Sequence, residues 1–294
     1  MKKMNFIVVR FVFKKRYIVI LGIVLYLFLC QACMTMRFTP KETTSFFSKS
    51  HTMYQDTTFQ SGGFKLHYVA TGSDLNPVLF FVHGSPGSWN AFKEYLVDPD
   101  LLKKYRMIAI DRPGFGYSDF GDAQNLATQS QFISTFIKSQ NFKKPVTLVG
   151  HSLGGPLVAQ LAVDHPEWYH RMVVLAGSLD PKAEKPEKWR TVIKTIPLRY
   201  LIPGALRPSN DELWWLKKDL VTLENQLYKI DCEVTIVHGT KDVLVPYSNV
   251  DYMKEKFVNA KKLTVKTIPE VNHFIPWSHY DIVKNVLLDE ETKN

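Results

Sequence analysis

The stretch VTLVGHSLGGPLVAQLA occupies residues 146–162. Its flanks are apolar, as a buried core requires, but Gly150-His151-Ser152-Leu153-Gly154 interrupts the run. Residues 146–149 read as a buried strand and residues 153–163 as a helix. Glycines on both sides of Ser152 remove Cβ atoms that would clash in so sharp a strand-to-helix turn. The serine side chain then projects above the strand end. The helix beginning at Leu153 aims free N–H groups and partial positive charge at any negative charge that develops there. A G-x-S-x-G motif in this context, after a strand and opening a helix, is the setting of a nucleophile.

Outward from this turn, short apolar strands alternate with helical patterns after Ser61, as a parallel α/β sheet requires. Strands are expected over 64–70, 78–82, 107–110, 146–149, 172–175, 234–237 and 263–268. Most are continuous apolar runs, the pattern of strands covered by helices on both faces. Phe132, Ile133, Phe136 and Ile137 make a helical stripe within 129–139, and 280–288 reads as a last helix. The rhythm breaks between Gly177 and Cys232. There Ser209 and Glu212 have the spacing of a capping box, with Ser209 as N-cap. Leu213, Leu216, Leu220, Leu223 and Leu227 follow as an apolar stripe. Residues 180–207 read as a small helical cap inserted over the sheet edge. Residues 41–60, rich in Ser, Thr and Lys, read as a tether, so the folded domain is expected over 61–294.

The net charge of +9 at first points to an acidic partner. Its distribution argues otherwise. Residues 1–40 hold seven basic residues, Lys2, Lys3, Arg10, Lys14, Lys15, Arg16 and Arg37, and no acidic one, leaving +2 for the rest of the chain. A nucleic-acid partner is therefore disfavoured, and the excess belongs to a targeting or anchoring segment over 1–40. After that basic start, residues 17–30 carry no charge. The run is short for a spanning helix, which wants roughly 20 apolar residues, and suits a signal core of about 7–15. Gln31-Ala32-Cys33 resembles the end of a bacterial lipoprotein signal, with Cys33 as the lipidated residue, although Cys30 stands where such signals usually carry Leu or another aliphatic. An uncleaved signal anchor is the alternative. In both, Lys14, Lys15 and Arg16 favour a cytoplasmic N-terminus and a domain outside the cytoplasm, periplasmic or at the cell surface. Cys232 reads as a buried packing residue, and cysteine spacing points to no metal site.

Three more segments bear on Ser152. His83-Gly84-Ser85 follows the strand 78–82, Gly239-Thr240-Lys241-Asp242 follows 234–237, and Asn272-His273 follows 263–268. With GHSLG and the glycine-rich Asp111-Arg112-Pro113-Gly114-Phe115-Gly116 loop, the chain from about residue 61 onward resembles the α/β-hydrolase family. The resemblance implies a mostly parallel central sheet with helices on both faces and a small helical cap. It also implies a Ser152, Asp242, His273 triad in the chain order Ser…Asp…His, with the backbone N–H groups of Ser85 and Leu153 as oxyanion donors. Asp180, after the preceding strand, is the alternative acid. His279 is a second candidate base, farther from the last strand. His83 is expected to brace its loop and His151 to support the turn.

These residues lead to an expected function: a serine hydrolase acting on a small or medium, partly hydrophobic ester through an acyl-serine, with no cofactor or metal. Carbon–carbon, amide and perhydrolase chemistry use the same residues. A serine at position 152 argues against haloalkane dehalogenase or epoxide hydrolase chemistry, which needs an aspartate there. A surface binding protein that kept the fold is the alternative of another class. The expected partners are the ester and the membrane.

Overall fold

The computed structural model describes residues 15–288. Lys2, Lys3, Arg10 and Lys14 of the basic leader, and the last six residues of the expected domain, lie outside them.

The sheet is built from β1 (Tyr54–Ser61), β2 (Phe64–Thr71), β3 (Val78–Val82), β4 (Arg106–Ile110), β5 (Val146–His151), β6 (Tyr169–Leu175), β7 (Glu233–Gly239) and β8 (Lys262–Ile268). Its order is β1-β2-β4-β3-β5-β6-β7-β8. The pairs β1–β2 and β2–β4 are antiparallel, and the others are parallel. Helices before and within the sheet are α1 (Lys15–Ala32), α2 (Pro40–Lys49), α3 (Lys93–Leu96), α4 (Pro99–Lys104), α5 (Leu126–Gln140) and α6 (Gly154–Asp164). Later in the chain come α7 (Trp189–Ile193), α8 (Leu206–Glu224), α9 (Ser248–Lys256), α10 (Ile275–Ser278) and α11 (Tyr280–Leu288).

The expected strands all form, because each is an apolar run that a doubly covered sheet can bury. Strand β3 shows how. Val78, Phe80 and Val82 enter one core with α5, α6 and α8, whereas Leu79 and Phe81 enter the other with α3, α4 and α11. That alternation is the period of two of an extended chain. The connection after β3 runs to one side, to β4, and the next crosses back to β5. The reversal opens a crevice beyond the carboxyl ends of β3 and β5, where α/β sheets bind ligands.

Residues 41–60 are not a tether. Thr39 caps α2 with a full capping box to Glu42, Pro40 stands in its first turn, and Phe47 is fully buried. Phe47 stacks on Tyr54 at 4.3 Å and on Trp89 at 6.0 Å between ring centroids. Burying such a side chain stabilises the fold by about 1.5–3 kcal/mol. The chain then enters β1, an edge strand whose Gln, Asp and Thr side chains are partly exposed. A partly exposed edge strand has a tether's composition, which is why the sequence misled. The expected capping box at Ser209 is also displaced. Helix α8 begins three residues earlier, at Leu206, and Glu212 turns inward to a buried arginine rather than back to the helix start.

At the β1–β2 edge a buried histidine stands between two carboxylates. His67 Nε2 lies 2.7 Å from Asp56 Oδ1, and His67 Nδ1 lies 2.8 Å from Asp111 Oδ2. Burial by itself would lower the imidazole's pKa, but the two carboxylates outweigh it and raise it from 6.5 to about 9. Folding stability linked to this charge is fully present below the unfolded value of 6.5 and lost as pH rises through 9. At 1.36 kcal/mol per unit the loss is on the order of 3 kcal/mol. Chemical denaturation across that window should show it, and Asp56→Asn should flatten it. A profile already flat in the unmodified chain would remove the charged reading of His67.

Candidate active site

Strand β5 ends at His151, and Ser152 adopts φ +55° before α6 begins at Gly154. A left-handed serine costs roughly 1–2 kcal/mol. The surroundings fix it: Ser152 N–H donates to Leu175 O at 2.9 Å, and Ser152 O accepts from Gly155 N–H at 2.8 Å. The flanking glycines are required by close approach. A Cβ on Gly150 would lie 2.3 Å from Gly154 O, and one on Gly154 would lie 2.2 Å from Val82 O.

The structure places Asp242 against His273. Asp242 Oδ2 lies 2.7 Å from His273 Nδ1, and Oδ1 accepts the backbone N–H groups of Leu244 and Val245 at 2.9 and 2.8 Å. Burial alone would raise this carboxyl's pKa, but the imidazole and the amides hold it below the ordinary value. Asp180 is engaged elsewhere. Its Oδ1 accepts Lys182 N–H at 2.8 Å, and its own N–H donates to Asn249 Oδ1. His279 closes α10 and pairs with Ser278 Oγ at 2.9 Å. His151 Nε2 contacts His273 O at 3.1 Å, so the ring donates there; burial, helped by His273, lowers its pKa to about 3 and keeps it neutral. His238, behind Asp242, likewise donates Nε2–H to Val245 O at 2.9 Å, and burial lowers its pKa.

Ser152, Leu153, Ser85 and His273 open onto one cavity of about 960 Å³. Leu213, Leu216, Phe274 and Trp277 form apolar parts of its wall, while Glu184 and Arg190 mark a charged end. The loop carrying Ser85 passes so close that a Cβ on Gly84 would sit 2.8 Å from Ser152 Cβ. His83 braces this loop: Nδ1 bonds Gly84 O at 2.7 Å, and Nε2 accepts Arg112 N–H at 3.0 Å. Complete burial and the nearby guanidinium push its pKa well below the usual value, so it stays neutral.

The sequence placed Arg112 in a loop that shapes the rim of the site but did not show its partners; the residue is fully buried. Its guanidinium donates to His83 O at 2.9 Å, Gly84 O at 3.0 Å and Gln129 Oε1 at 2.9 Å. Its two Nη atoms grip Glu212 at 2.8 Å each. One helical turn earlier on α8, Ser209 Oγ accepts from Ser85 Oγ at 2.8 Å. Two points of α8 thus latch the loop that carries the Ser85 amide. The only signal in the sequence was an arginine two residues past a strand and just before a glycine-rich loop. Its carboxylate partner lies 100 positions away.

Among the described residues, no group of three or more His, Cys, Asp or Glu side chains is disposed to hold a metal ion.

The profile of the alpha/beta hydrolase fold family matches residues 77–200. Epoxide hydrolase 3 of Xenopus tropicalis is 27% identical over 203 residues, covering 64% of this chain and 53% of the relative. The 2-hydroxy-6-oxo-6-(2'-aminophenyl)hexa-2,4-dienoic acid hydrolase of Metapseudomonas resinovorans is 30% identical over 146 residues, covering 49% of this chain and 50% of the relative. The chain thus spans about half the length of these curated relatives. Among solved structures, a bacterial membrane phospholipase A aligns with a TM-score of 0.62 at 18% identity, covering 94% of this chain and 98% of that one. The chain has the α/β-hydrolase fold. The relatives named here are hydrolases.

Proposed function

We propose that the chain is a membrane-anchored serine hydrolase that cleaves a partly hydrophobic ester through an acyl-Ser152 intermediate. The observation that carries this reading is the Asp242–His273 pair opening with Ser152 onto a single, largely apolar-walled cavity. A serine hydroxyl is a weak nucleophile until a base takes its proton during attack. His273 is that base: its Nδ1–H is held by Asp242, leaving Nε2 to accept the Ser152 proton. Oγ attacks the ester carbon, and the carbonyl oxygen becomes an oxyanion beside the amides of Ser85 and Leu153. Such donors contribute about 2.7–4 kcal/mol each. The imidazolium then protonates the departing alcohol, and water activated by His273 releases the acid and restores Ser152.

The epoxide hydrolase likeness does not extend to that chemistry. Attack of a serine on an epoxide carbon forms an ether, which water at this site has no carbonyl to attack and release. A carboxylate nucleophile forms a cleavable ester instead. Ester hydrolysis is what Ser152 supports.

The anchor is α1. Its 18 residues span about 27 Å at 1.5 Å per residue, close to a bilayer's apolar thickness. Lys15 and Arg16 at its start favour that end in the cytoplasm and the hydrolase domain outside. Tyr26 Oη donates to Leu201 O at 3.1 Å, and Cys30 is buried against the same segment. Cleavage before Cys33 would discard both contacts, which favours a retained helix over lipidation at Cys33.

A fluorophosphonate probe should label Ser152 of the folded protein, and p-nitrophenyl esters of graded chain length should be turned over with a preference for apolar acyl groups. Folded protein that neither labels at Ser152 nor hydrolyses any of the series would sink the hydrolase reading.

A further inference from the structure

We infer that the cap segment around α7, residues 182–201, is a second membrane contact that seats on an anionic phospholipid surface beside α1. The inference rests on the reading of α1 as a retained anchor and adds a partner to it.

Three observations carry it. First, the segment presents apolar side chains to solvent rather than to the core. Trp189, Val192, Ile196, Leu198, Tyr200 and Leu201 are all exposed, Ile196 by 76%. Six exposed apolar side chains between residues 189 and 201 are not packing the cap's own interior.

Second, its charge is cationic out of proportion to its length. Residues 182–201 hold six basic side chains (Lys182, Lys185, Lys188, Arg190, Lys194 and Arg199) against Glu184 and Glu187, a net of +4. Residues 41–294 together carry +2, so the rest of that stretch sums to −2. Lys182, Lys185 and Lys188 are exposed. Apolar and aromatic residues interleaved with free lysines are the composition of an element lying in an anionic headgroup plane.

Third, the segment is fastened to α1 at a defined height. Leu201 O accepts from Tyr26 Oη at 3.1 Å and from Cys30 Sγ at 3.5 Å. Tyr200 O accepts from Gln31 Nε2 at 3.2 Å, and Cys30 O accepts from Gly204 N–H at 2.8 Å. Along a helix rising 1.5 Å per residue, Tyr26 and Cys30 lie about 9 and 3 Å before Ala32. Interfacial elements sit about 5–10 Å into the headgroup and acyl boundary. A cap tied to that stretch of a spanning helix is therefore held at the depth its exposed side chains suit. The same segment contributes Glu184, Lys185 and Arg190 to the cavity wall, so the membrane contact adjoins the site.

The full chain bearing Ile196→Cys and Cys33→Ser, spin-labelled and reconstituted into phosphatidylglycerol–phosphatidylethanolamine vesicles, tests this. Cys30 and Cys232 are buried, and Cys33→Ser alone reports their background. Leu75→Cys, exposed on the loop before β3, is the control at the opposite end of the strands. The label at 196 should show an oxygen-to-nickel-complex collision ratio several-fold above that at 75. The difference should shrink in phosphatidylcholine or when Lys182, Lys185 and Lys188 are changed to Glu. If the chain floats with vesicles and resists alkaline carbonate while both labels are equally accessible to the nickel complex, the cap contact is overturned and the anchor stands. If the chain is released by carbonate, the anchor reading fails and the cap inference with it. Spin–spin broadening at 196 that vanishes on dilution with unlabelled chain would assign the surface to a second copy and overturn the lipid assignment.

Discussion

Asp242→Asn is expected to lower kcat by about 10⁴-fold, with KM nearly unchanged. The hydrogen bonds dictate why. Oδ1 of Asp242 accepts two backbone N–H groups, from Leu244 and Val245, so the asparagine would keep its carbonyl oxygen there. Its NH₂ would then face His273 Nδ1, where Asp242 Oδ2 now lies at 2.7 Å. Both would be donors unless the imidazole moved its proton to Nε2. In that tautomer Nε2 has no lone pair with which to take the Ser152 proton, while the fold is undisturbed. Steady-state kinetics on a p-nitrophenyl ester, with circular dichroism as the folding control, measures this. Asp180→Asn should leave kcat within about twofold, since its carboxylate closes a local turn with Lys182 and has no part in the proton transfer. The reverse pattern would show that the wrong acid is assigned.

Arg112→Met is expected to cost about 3–5 kcal/mol of stability, because it leaves the Glu212 carboxylate buried without its cation. For a domain of this size that is a fall in melting temperature of roughly 6–20 °C. The double variant Arg112→Met with Glu212→Leu should recover much of the loss, since well-packed apolar replacements of buried pairs are often neutral. Turnover should not recover with it. The guanidinium fixes Gly84 O, and the Gly84–Ser85 peptide plane carries the Ser85 N–H on its opposite edge. Without Arg112 only His83 Nδ1–H holds that plane, so kcat should stay about tenfold or more below the unmodified protein, within the effect of losing an oxyanion donor. Thermal denaturation and kcat on the same three samples separate the effects. Recovery of both together would make Arg112 a packing residue only.

Much of the sheet was legible because its signal is local. A strand buried on both faces must be apolar throughout, and 78–82 and 146–149 are. The turn at Ser152 was legible for the same reason: glycines at 150 and 154 and the serine between them announce a turn that other residues would clash in. The segment 40–61 was not, because a partly exposed edge strand and a short helix have the polar composition of a linker. Thr39-Pro40-Lys41-Glu42 held the helix signal, and Phe47 gave no hint that Trp89 and Tyr54 would enclose it. The capping box at Ser209 failed for the opposite reason. Its spacing was right, but a buried arginine competes better for Glu212 than a solvated helix end does.

By itself the sequence determined the alternation of strands and helices, the strained turn at Ser152 and the short set of acids and bases able to serve it. Each of those follows from chemistry within a few neighbouring residues. Only the tertiary structure decided which carboxylate meets His273, that Arg112 and Glu212 join across 100 positions to hold the Ser85 loop, and that α1 packs on the cap. Those pairings depend on where the strand ends and helices come together in space. No local propensity encodes a contact whose two halves are distant along the chain.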